Sequence, residues 1–238
     1  MLFRSVHFWF DKAFIEPCMR PVMRQIADYA RTHANEKLLI VGHTDKSGSA
    51  AYNQSLSERR SRSAFSFLTF GLDAAARQAA LDEWNELRQT RTPGVIQTIK
   101  DTWDIREYQH ILQDLFFYPG SIDGEDGPLT QDAVRAYRCH KGLPPGITVD
   151  DVVWQALIED YLAQDNLAVP SDRFFLNAGD GCDGGILKWL GCGEDSPLPE
   201  PQPTKPSAWR PYRRVEFLFV NASDLPCEIG RASCRERV

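Results

Sequence analysis

The sequence has no long hydrophobic stretch, since no apolar run approaches the ~18 residues that a membrane-spanning helix needs. Its 238 residues are 25% charged and 42% hydrophobic, an ordinary globular composition that excludes disorder as a class. The formal net charge of -6 argues against a general nucleic-acid binder, which would be basic. We therefore expect one or two globular domains, no transmembrane segment and no nucleic-acid partner.

Signatures of metal binding and catalysis are missing as well. The six cysteines form no C-x-x-C pair, which argues against a zinc knuckle. The five histidines lack the spacing of a zinc enzyme, and no cysteine lies in a recognisable hydrolase signature. A lysozyme-like enzyme needs only two positioned carboxylates, which the 33 acidic residues leave open. We predict no catalytic residue, no metal and no cofactor.

The first ten residues lack the apolar segment and the cleavage site of a signal peptide. This indicates a cytosolic protein or a sequence without its natural front end.

Cys182 and Cys192 flank a glycine-rich segment and would pair in an oxidising compartment. Two unrelated buried thiols are an equally good interpretation.

The first part of the chain alternates strand and helix patterns. Apolar and aromatic runs predict strands at Val6–Phe10 and Lys37–Val41. Helical spacing of apolar residues predicts helices over about 21–32, 53–68 and 73–87. A last strand is predicted at Arg213–Val220, and no other sheet is available for it to join.

A purely helical unit lies between these strands. Helices are predicted at Ile105–Leu115, Thr130–Cys139 and Val149–Leu162, with Thr130 as the cap of the second. Asp123–Gly127 is superficially similar to a calcium loop but lacks the acidic residue expected at its last ligand position. We interpret it as a turn.

The most specific motif follows the second predicted strand. Gly-His-Thr-Asp is followed by a glycine and then by Asn-x-x-Leu-Ser-x-x-Arg on a helix, and the motif residues are Gly42, His43, Thr44, Asp45, Gly48, Asn53, Leu56, Ser57 and Arg60. Asn53, Leu56 and Arg60 are spaced so that they share one helix face. The motif resembles the signature of the OmpA-like peptidoglycan-binding domain.

Further segments carry the same resemblance. They are Arg213, Arg214, Val215 and Glu216 in the closing strand, and Gly191, Gly193, Glu194 and Pro197 in the segment before it. Phe8–Ile15 resembles the opening strand and loop of the family, with Asp11 at a polar ligand position. The resemblance covers roughly 1–70 and 187–220. It implies an α/β fold, an α+β sandwich of the βαβαβ type.

The resemblance also implies a ligand, the meso-diaminopimelate residue of the peptidoglycan stem peptide. The free end of this residue is a zwitterion, so an Asp suits its ammonium and an Arg fork suits its carboxylate. Asp45 then takes the ammonium and Arg60 the carboxylate, with support from Arg213 and Asp11. Asn53 completes the predicted ligand-binding set.

Purely structural roles are an alternative interpretation of the same residues. Asp45 and Arg60 could be a structural ion pair at a helix entrance, and surface pairs of this kind are common. We interpret His43 as a structural residue near the strand end. Arg59 and Arg62 are expected on a solvated face.

The helical unit resembles the small three-helix peptidoglycan-binding domain that accompanies many wall hydrolases. The matching residues include Gln109, Leu112, Tyr118, Asp123, Gly124, Thr130, Tyr137, Leu143, Trp154 and Leu157. Phe116 stands where this family usually has Gly, and Arg138 where it usually has Gln, which leaves ligand contact at that groove in doubt. Tyr118, Tyr137 and Trp154 are expected in the core.

Together the two resemblances predict a domain insertion. The OmpA-like domain comprises 1–95 and 171–220, and the helical domain is inserted at 101–165. A proline-rich loop spans 198–211, and 221–238 form a tail. Residues 229–238 resemble the translation of a sequencing-library adaptor and are interpreted as non-native.

The predicted function is non-catalytic binding of peptidoglycan, which anchors a larger protein or assembly to the wall of a Gram-negative bacterium. The expected location is the periplasmic face of the cell envelope, with other envelope proteins as partners, although a cytoplasmic location stays open. One alternative is the accessory wall-binding region of a peptidoglycan hydrolase. Another is a structural component of an envelope-spanning secretion or injection apparatus.

Overall fold

The computed structural model describes residues 4–89, 102–175, 189–194, 204–205 and 209–221. Within them the strands are β1 Arg4–His7, β2 Glu36–Gly42, β3 Trp189–Gly191 and β4 Arg214–Asn221. The helices are α1 Arg20–Thr32, α2 Ala50–Thr69, α3 Ala74–Gln89, α4 Ile105–Asp114, α5 Pro128–His140 and α6 Asp151–Ala163. Short 3₁₀ turns lie at Pro17–Met19, Ser171–Arg173 and Arg210–Tyr212.

The four strands form one mixed sheet in the order β1-β4-β2-β3. The closing strand β4 is central and antiparallel to both neighbours, with Val215 opposite Val6 and Phe217 opposite Ile40. Strand β3 is parallel to β2 at the other edge. The predicted α/β fold class with an added helical unit is confirmed.

Alternation along the strands divides the apolar side chains between the two faces of the sheet. Val215 and Phe217 belong to the large core that includes residues of α1 and α2, such as Met23 and Ala64. The alternate residues of the strands point to the other face of the sheet. There they form a smaller cluster of Leu39, Val41, Phe175, Leu190, Cys192 and Leu218. The sheet is therefore covered on both faces.

The glycine of the Gly-His-Thr-Asp motif lets α2 pack directly on the end of β2. A Cβ atom at Gly42 would lie 2.0 Å from the carbonyl oxygen of Ser57, so no larger residue fits without a shift of the helix. The helix begins after Ser49, whose Oγ accepts a hydrogen bond from the Tyr52 N–H at 3.2 Å. This close approach places the first turns of α2 beside the loop that follows β2.

Several predicted element boundaries were wrong by two or three residues, among them the start of α2 at Ala50, and two of them have a clear local cause. Strand β1 ends at His7, not Phe10, because the chain turns after Phe8 and reaches a positive φ of 55° at Asp11. Helix α5 begins at Pro128 with Gly127 as its N-cap, so Thr130 is not the cap. Proline at the first helical position fixes this earlier start.

The environment of one arginine was also predicted wrongly. Arg59 is buried, with 3% of its surface exposed, and does not lie on a solvated face. Arg62 is partly exposed and bridges α2 to α3 through Glu83 at 2.8 Å and Glu86 at 3.1 Å. The contacts of Arg62 show that α3 packs along part of this face of α2.

The turn of the helical unit is organised by the fully buried side chain of Gln109. Its Nε2 donates to Asp123 Oδ1 at 2.8 Å and to Thr130 Oγ1 at 2.9 Å. Its Oε1 accepts from the Gly124 N–H at 2.8 Å, where the backbone adopts a φ of 79°. These contacts support the interpretation of Asp123–Gly127 as a structural turn.

The helical unit shares its core with the α/β part. The Phe14 ring lies 5.2 Å from Trp103 and 5.6 Å from Tyr161, measured between ring centres. The Tyr161 hydroxyl donates to the Ile15 carbonyl at 2.7 Å, and Arg20 pairs with Asp114 at 2.6 Å. The two parts are therefore joined by one hydrophobic cluster and by buried polar contacts.

Several predictions fall on residues outside the described ranges. They concern Cys182, most of the proline-rich loop at 198–211 and the tail beyond Asn221. Among the described helices, none combines the length and the apolar character that crossing a membrane requires.

Candidate ligand-binding site

The five residues predicted to bind ligand line a single small pocket. Loops after β1 and β2, the first half of α2 and the residue before β4 each contribute to its wall. The lining residues are Phe10, Asp11, Thr44, Asp45, Ser47, Asn53, Leu56, Arg60 and Arg213. Four lining residues were not predicted as site residues, although each is adjacent or close in sequence to one that was: Phe10, Thr44, Ser47 and Leu56.

Asp45 is held in place by two donors. It is 3% exposed, and its Oδ1 accepts from the Ser47 N–H at 2.8 Å while its Oδ2 accepts from Arg213 Nη1 at 3.1 Å. The direct ion pair of Asp45 is therefore with Arg213 and spans 168 positions of sequence. The Nε of Arg213 is buried without a hydrogen-bond partner.

Arg60 is fully buried and joins the two loops that follow β1 and β2 in the pocket wall. Its guanidinium donates to the carbonyls of Lys12 at 3.0 Å, His43 at 2.8 Å and Trp9 at 3.3 Å. Burial lowers the pKa of Arg60 to about 9, an effect that the nearby Asp45 partly offsets. A guanidinium has more donors than these three contacts use, so Arg60 can both hold the loops and face a ligand.

Asp11 and Asn53 complete the wall. Asp11 adopts the left-handed region and its Oδ1 accepts from the Tyr52 hydroxyl at 2.8 Å. The Asn53 side chain donates to Glu194 Oε2 at 2.6 Å. Glu194 belongs to the segment after β3 that resembles the family, so its position was visible in the sequence but its contact was not.

The pocket is lined by charged side chains of both signs, and their formal charges sum to zero. Asp11 and Asp45 contribute two carboxylates, and Arg60 and Arg213 contribute two guanidinium groups. Paired opposite charges can stay buried when no ligand is bound. The same arrangement complements a ligand that carries an ammonium and a carboxylate on one carbon.

Comparison with known proteins assigns both parts of the chain. Residues 7–83 match the model of the OmpA family, and residues 103–157 match the model of a peptidoglycan binding domain family. Along the chain, the segment that matches the OmpA family comes before the segment that matches the peptidoglycan binding domain family. The predicted pair of resemblances is thereby confirmed.

Three curated relatives match part of the chain. Outer membrane protein A of Bordetella avium is 43% identical over 61 residues, which are 26% of this chain and 31% of that protein. Outer membrane porin F of Pseudomonas fluorescens is 38% identical over 56 residues, 24% of this chain and 17% of the porin. The peptidoglycan-associated lipoprotein of Legionella pneumophila is 38% identical over 53 residues, 22% of this chain and 30% of the lipoprotein.

The matched segments thus span less than a third of each of these relatives. Their names are those of a membrane protein, a porin and a lipoprotein, and none of the three is an enzyme name. Among solved structures, the peptidoglycan-associated lipoprotein of Burkholderia pseudomallei aligns with a TM-score of 0.39 and 14% identity. That alignment covers 91% of this chain and 90% of the lipoprotein.

His43 of the OmpA domain is a buried structural residue beside the pocket. It is 2% exposed and its Nε2 lies 3.4 Å from Glu216 Oε2 on β4. Burial alone would raise the pKa of Glu216, but the nearby His43 imidazole and the Arg214 guanidinium, whose Nε donates to Glu216 Oε1 at 2.6 Å, outweigh it. The pKa of Glu216 is lowered to about 2.

The Glu216 contacts predict a pH-dependent stability. A carboxylate with a lowered pKa stabilises the folded state above its unfolded pKa of 4.5, and this contribution is lost as the pH falls towards 2. We expect Glu216→Gln to lower the free energy of unfolding by about 2 kcal/mol at pH 7 and by almost nothing at pH 2. Urea titrations of both proteins at pH 7, 4 and 2.5 measure this difference.

Because other carboxylates also titrate in this range, only the difference between wild type and Glu216→Gln is informative. A difference that stays constant from pH 7 to 2.5 would show that the charge of Glu216 contributes nothing.

Within the described ranges, no group of three or more His, Cys, Asp and Glu side chains could hold a metal ion.

Cys18 and Cys139 are free and exposed. Cys192 is disulfide-bonded, whereas Cys182 lies outside the described residues, so the pairing of these two stays a prediction.

Proposed function

We propose that this chain binds peptidoglycan without catalysis and anchors a larger protein or assembly to the cell wall. The observation that carries the proposal is the neutral pocket of two carboxylates and two guanidinium groups on an OmpA family domain. The second domain matches the model of a family that is named for peptidoglycan binding. Two wall-binding domains in one chain would raise avidity for the same polymer.

In this proposal the pocket recognises the free end of meso-diaminopimelate in the stem peptide. Asp45 accepts from the ligand ammonium, and Asp11 adds a second negative charge at that end. The carboxylate is held by the remaining donors of Arg60 and by the unpartnered Nε of Arg213. Asn53, in the first turn of α2, lines the pocket as a neutral donor or acceptor.

The proposed location is the periplasmic face of the cell envelope, with other envelope proteins as partners. The names of the curated relatives support an envelope location. The disulfide at Cys192 supports an oxidising compartment such as the periplasm. Peptidoglycan is accessible in that compartment.

We propose the following domain division. The OmpA domain comprises 1–95 and 171–220, and the helical domain at 101–165 is inserted in it. The pairing of β4 with β1 and β2 supports this division, because the sheet needs a strand from each side of the insertion.

Sedimentation with purified sacculi tests the proposed function. We expect the wild-type chain to pellet with sacculi of the diaminopimelate type and to be released by a soluble stem peptide that contains diaminopimelate. Sacculi of a lysine-type wall serve as the control and should retain much less protein. A chain that stays in the supernatant with both would refute the proposal.

A further inference from the structure

The loop that carries Asp11 is held from two different domains. Arg60 of the OmpA domain donates to the backbone carbonyls of Trp9 and Lys12. The side chains of the same two residues contact the first turn of α4 in the helical domain. Lys12 Nζ lies 3.5 Å from Glu107 Oε2, and the Arg106 guanidinium lies 4.3 Å from the centre of the Trp9 ring.

The contact between Lys12 and Glu107 is a desolvated ion pair. The Glu107 side chain is 3% exposed and that of Lys12 is 14% exposed. The Lys12 ammonium also donates to the Thr102 carbonyl at 2.5 Å, and Glu107 accepts from the Asp104 N–H at 2.6 Å. Loss of one partner would leave the other charge buried and uncompensated.

Asp11 lies between the two anchored residues. Its left-handed backbone conformation is uncommon for a residue with a Cβ and needs support from its surroundings. A shift of the loop would move the Asp11 carboxylate and also the two carbonyls that orient the Arg60 guanidinium. Sites of this kind depend on supporting contacts that fix the ligand-binding groups.

We propose that Glu107 and Arg106 of the helical domain position loop 9–12 for ligand binding in the pocket of the OmpA domain. The helical domain is then a part of the stem-peptide site as well as a second wall-binding domain. The inference rests on the proposed function, since it concerns the affinity of the same pocket.

Calorimetric titration of the whole chain with a soluble peptide that contains meso-diaminopimelate tests this inference. Glu107→Gln keeps an acceptor for the start of α4 but removes the charge that faces Lys12. Lys12→Met keeps the aliphatic stem but removes the ammonium. We expect each to weaken binding about three- to tenfold, and the double variant to lose little more than either single one.

The matched control is Asp114→Asn at the other end of α4. It also removes a carboxylate that pairs with the α/β part, through Arg20 at 2.6 Å, but it does not contact loop 9–12. We expect its affinity to stay within about twofold of wild type, because a change in stability alone does not move a pocket that is fully folded. Urea titrations establish that all variants are folded under the binding conditions.

Rescue by a conservative variant separates positioning from general stability. Lys12→Arg keeps the positive charge opposite Glu107 and should bind within about twofold of wild type. Wild-type affinity of both Glu107→Gln and Lys12→Met would overturn the inference, as would an equal loss in Asp114→Asn. A wild-type chain that binds no peptide would overturn the proposed function and this inference together, whereas insensitive variants of a binding chain overturn only the inference.

Discussion

Asp45→Asn is expected to weaken binding of a peptide that contains meso-diaminopimelate by at least about 30-fold. The substitution keeps the shape of the side chain and an acceptor for the Ser47 N–H. It removes the negative charge that faces the ligand ammonium and leaves Arg213 without its ion-pair partner. Calorimetric titration with the soluble peptide measures the loss.

Peptide variants distinguish the two ends of the ligand in this experiment. A peptide with lysine in place of diaminopimelate keeps the ammonium and lacks the carboxylate, and amidation of the carboxylate removes its charge. Wild type should discriminate against both. Arg60→Lys should lose most of this discrimination, because an ammonium cannot reproduce the planar fork of a guanidinium.

Asp82→Asn is the matched control for Asp45→Asn. Asp82 is an exposed carboxylate on α3 whose contact is with Gln78 of the same helix. We expect it to bind like wild type. If Asp45→Asn also binds like wild type, Asp45 serves only as the partner of Arg213, and its proposed contact with the ligand ammonium is refuted.

Arg60→Ala is expected to lower the free energy of unfolding by at least about 3 kcal/mol. Three buried or partly buried carbonyls, those of Trp9, Lys12 and His43, lose their donor. The guanidinium also lies 5.2 Å from the centre of the Phe8 ring, so its loss leaves a void beside that ring. Urea titration followed by circular dichroism measures the change.

The sequence alone predicts that Arg60→Ala abolishes most binding without unfolding the protein, and the carbonyl contacts revise that expectation. The control is Arg62→Ala on the same helix, which removes the partly exposed contacts to Glu83 and Glu86. Its cost should stay below about 1 kcal/mol. Equal stability losses in the two variants would contradict a special role of Arg60 in the fold.

Local patterns of apolar residues in the sequence predicted much of the fold. The apolar run of Lys37–Val41 predicted β2, and the helical spacing that continues to Arg60 predicted α2, because side-chain periodicity reflects which face an element buries. Apolar strand composition also predicted that 213–220 must join the sheet. Errors in the predicted helices and strands were confined to their ends, as at Phe10, where a turn follows the strand, and at Thr130, where Pro128 starts the helix earlier.

The members of the candidate site were likewise visible in the sequence, through the motif that spans Gly42 to Arg60 and the closing Arg213. Only the tertiary structure decided their partners. Asp45 pairs with Arg213 over 168 positions, and Lys12 meets Glu107 across a domain boundary. A local sequence pattern fixes the direction of a side chain on its own element, but the group it meets depends on how distant elements pack. For the same reason the burial of Arg59 followed from the tertiary structure, whereas the sequence predicted a solvated face.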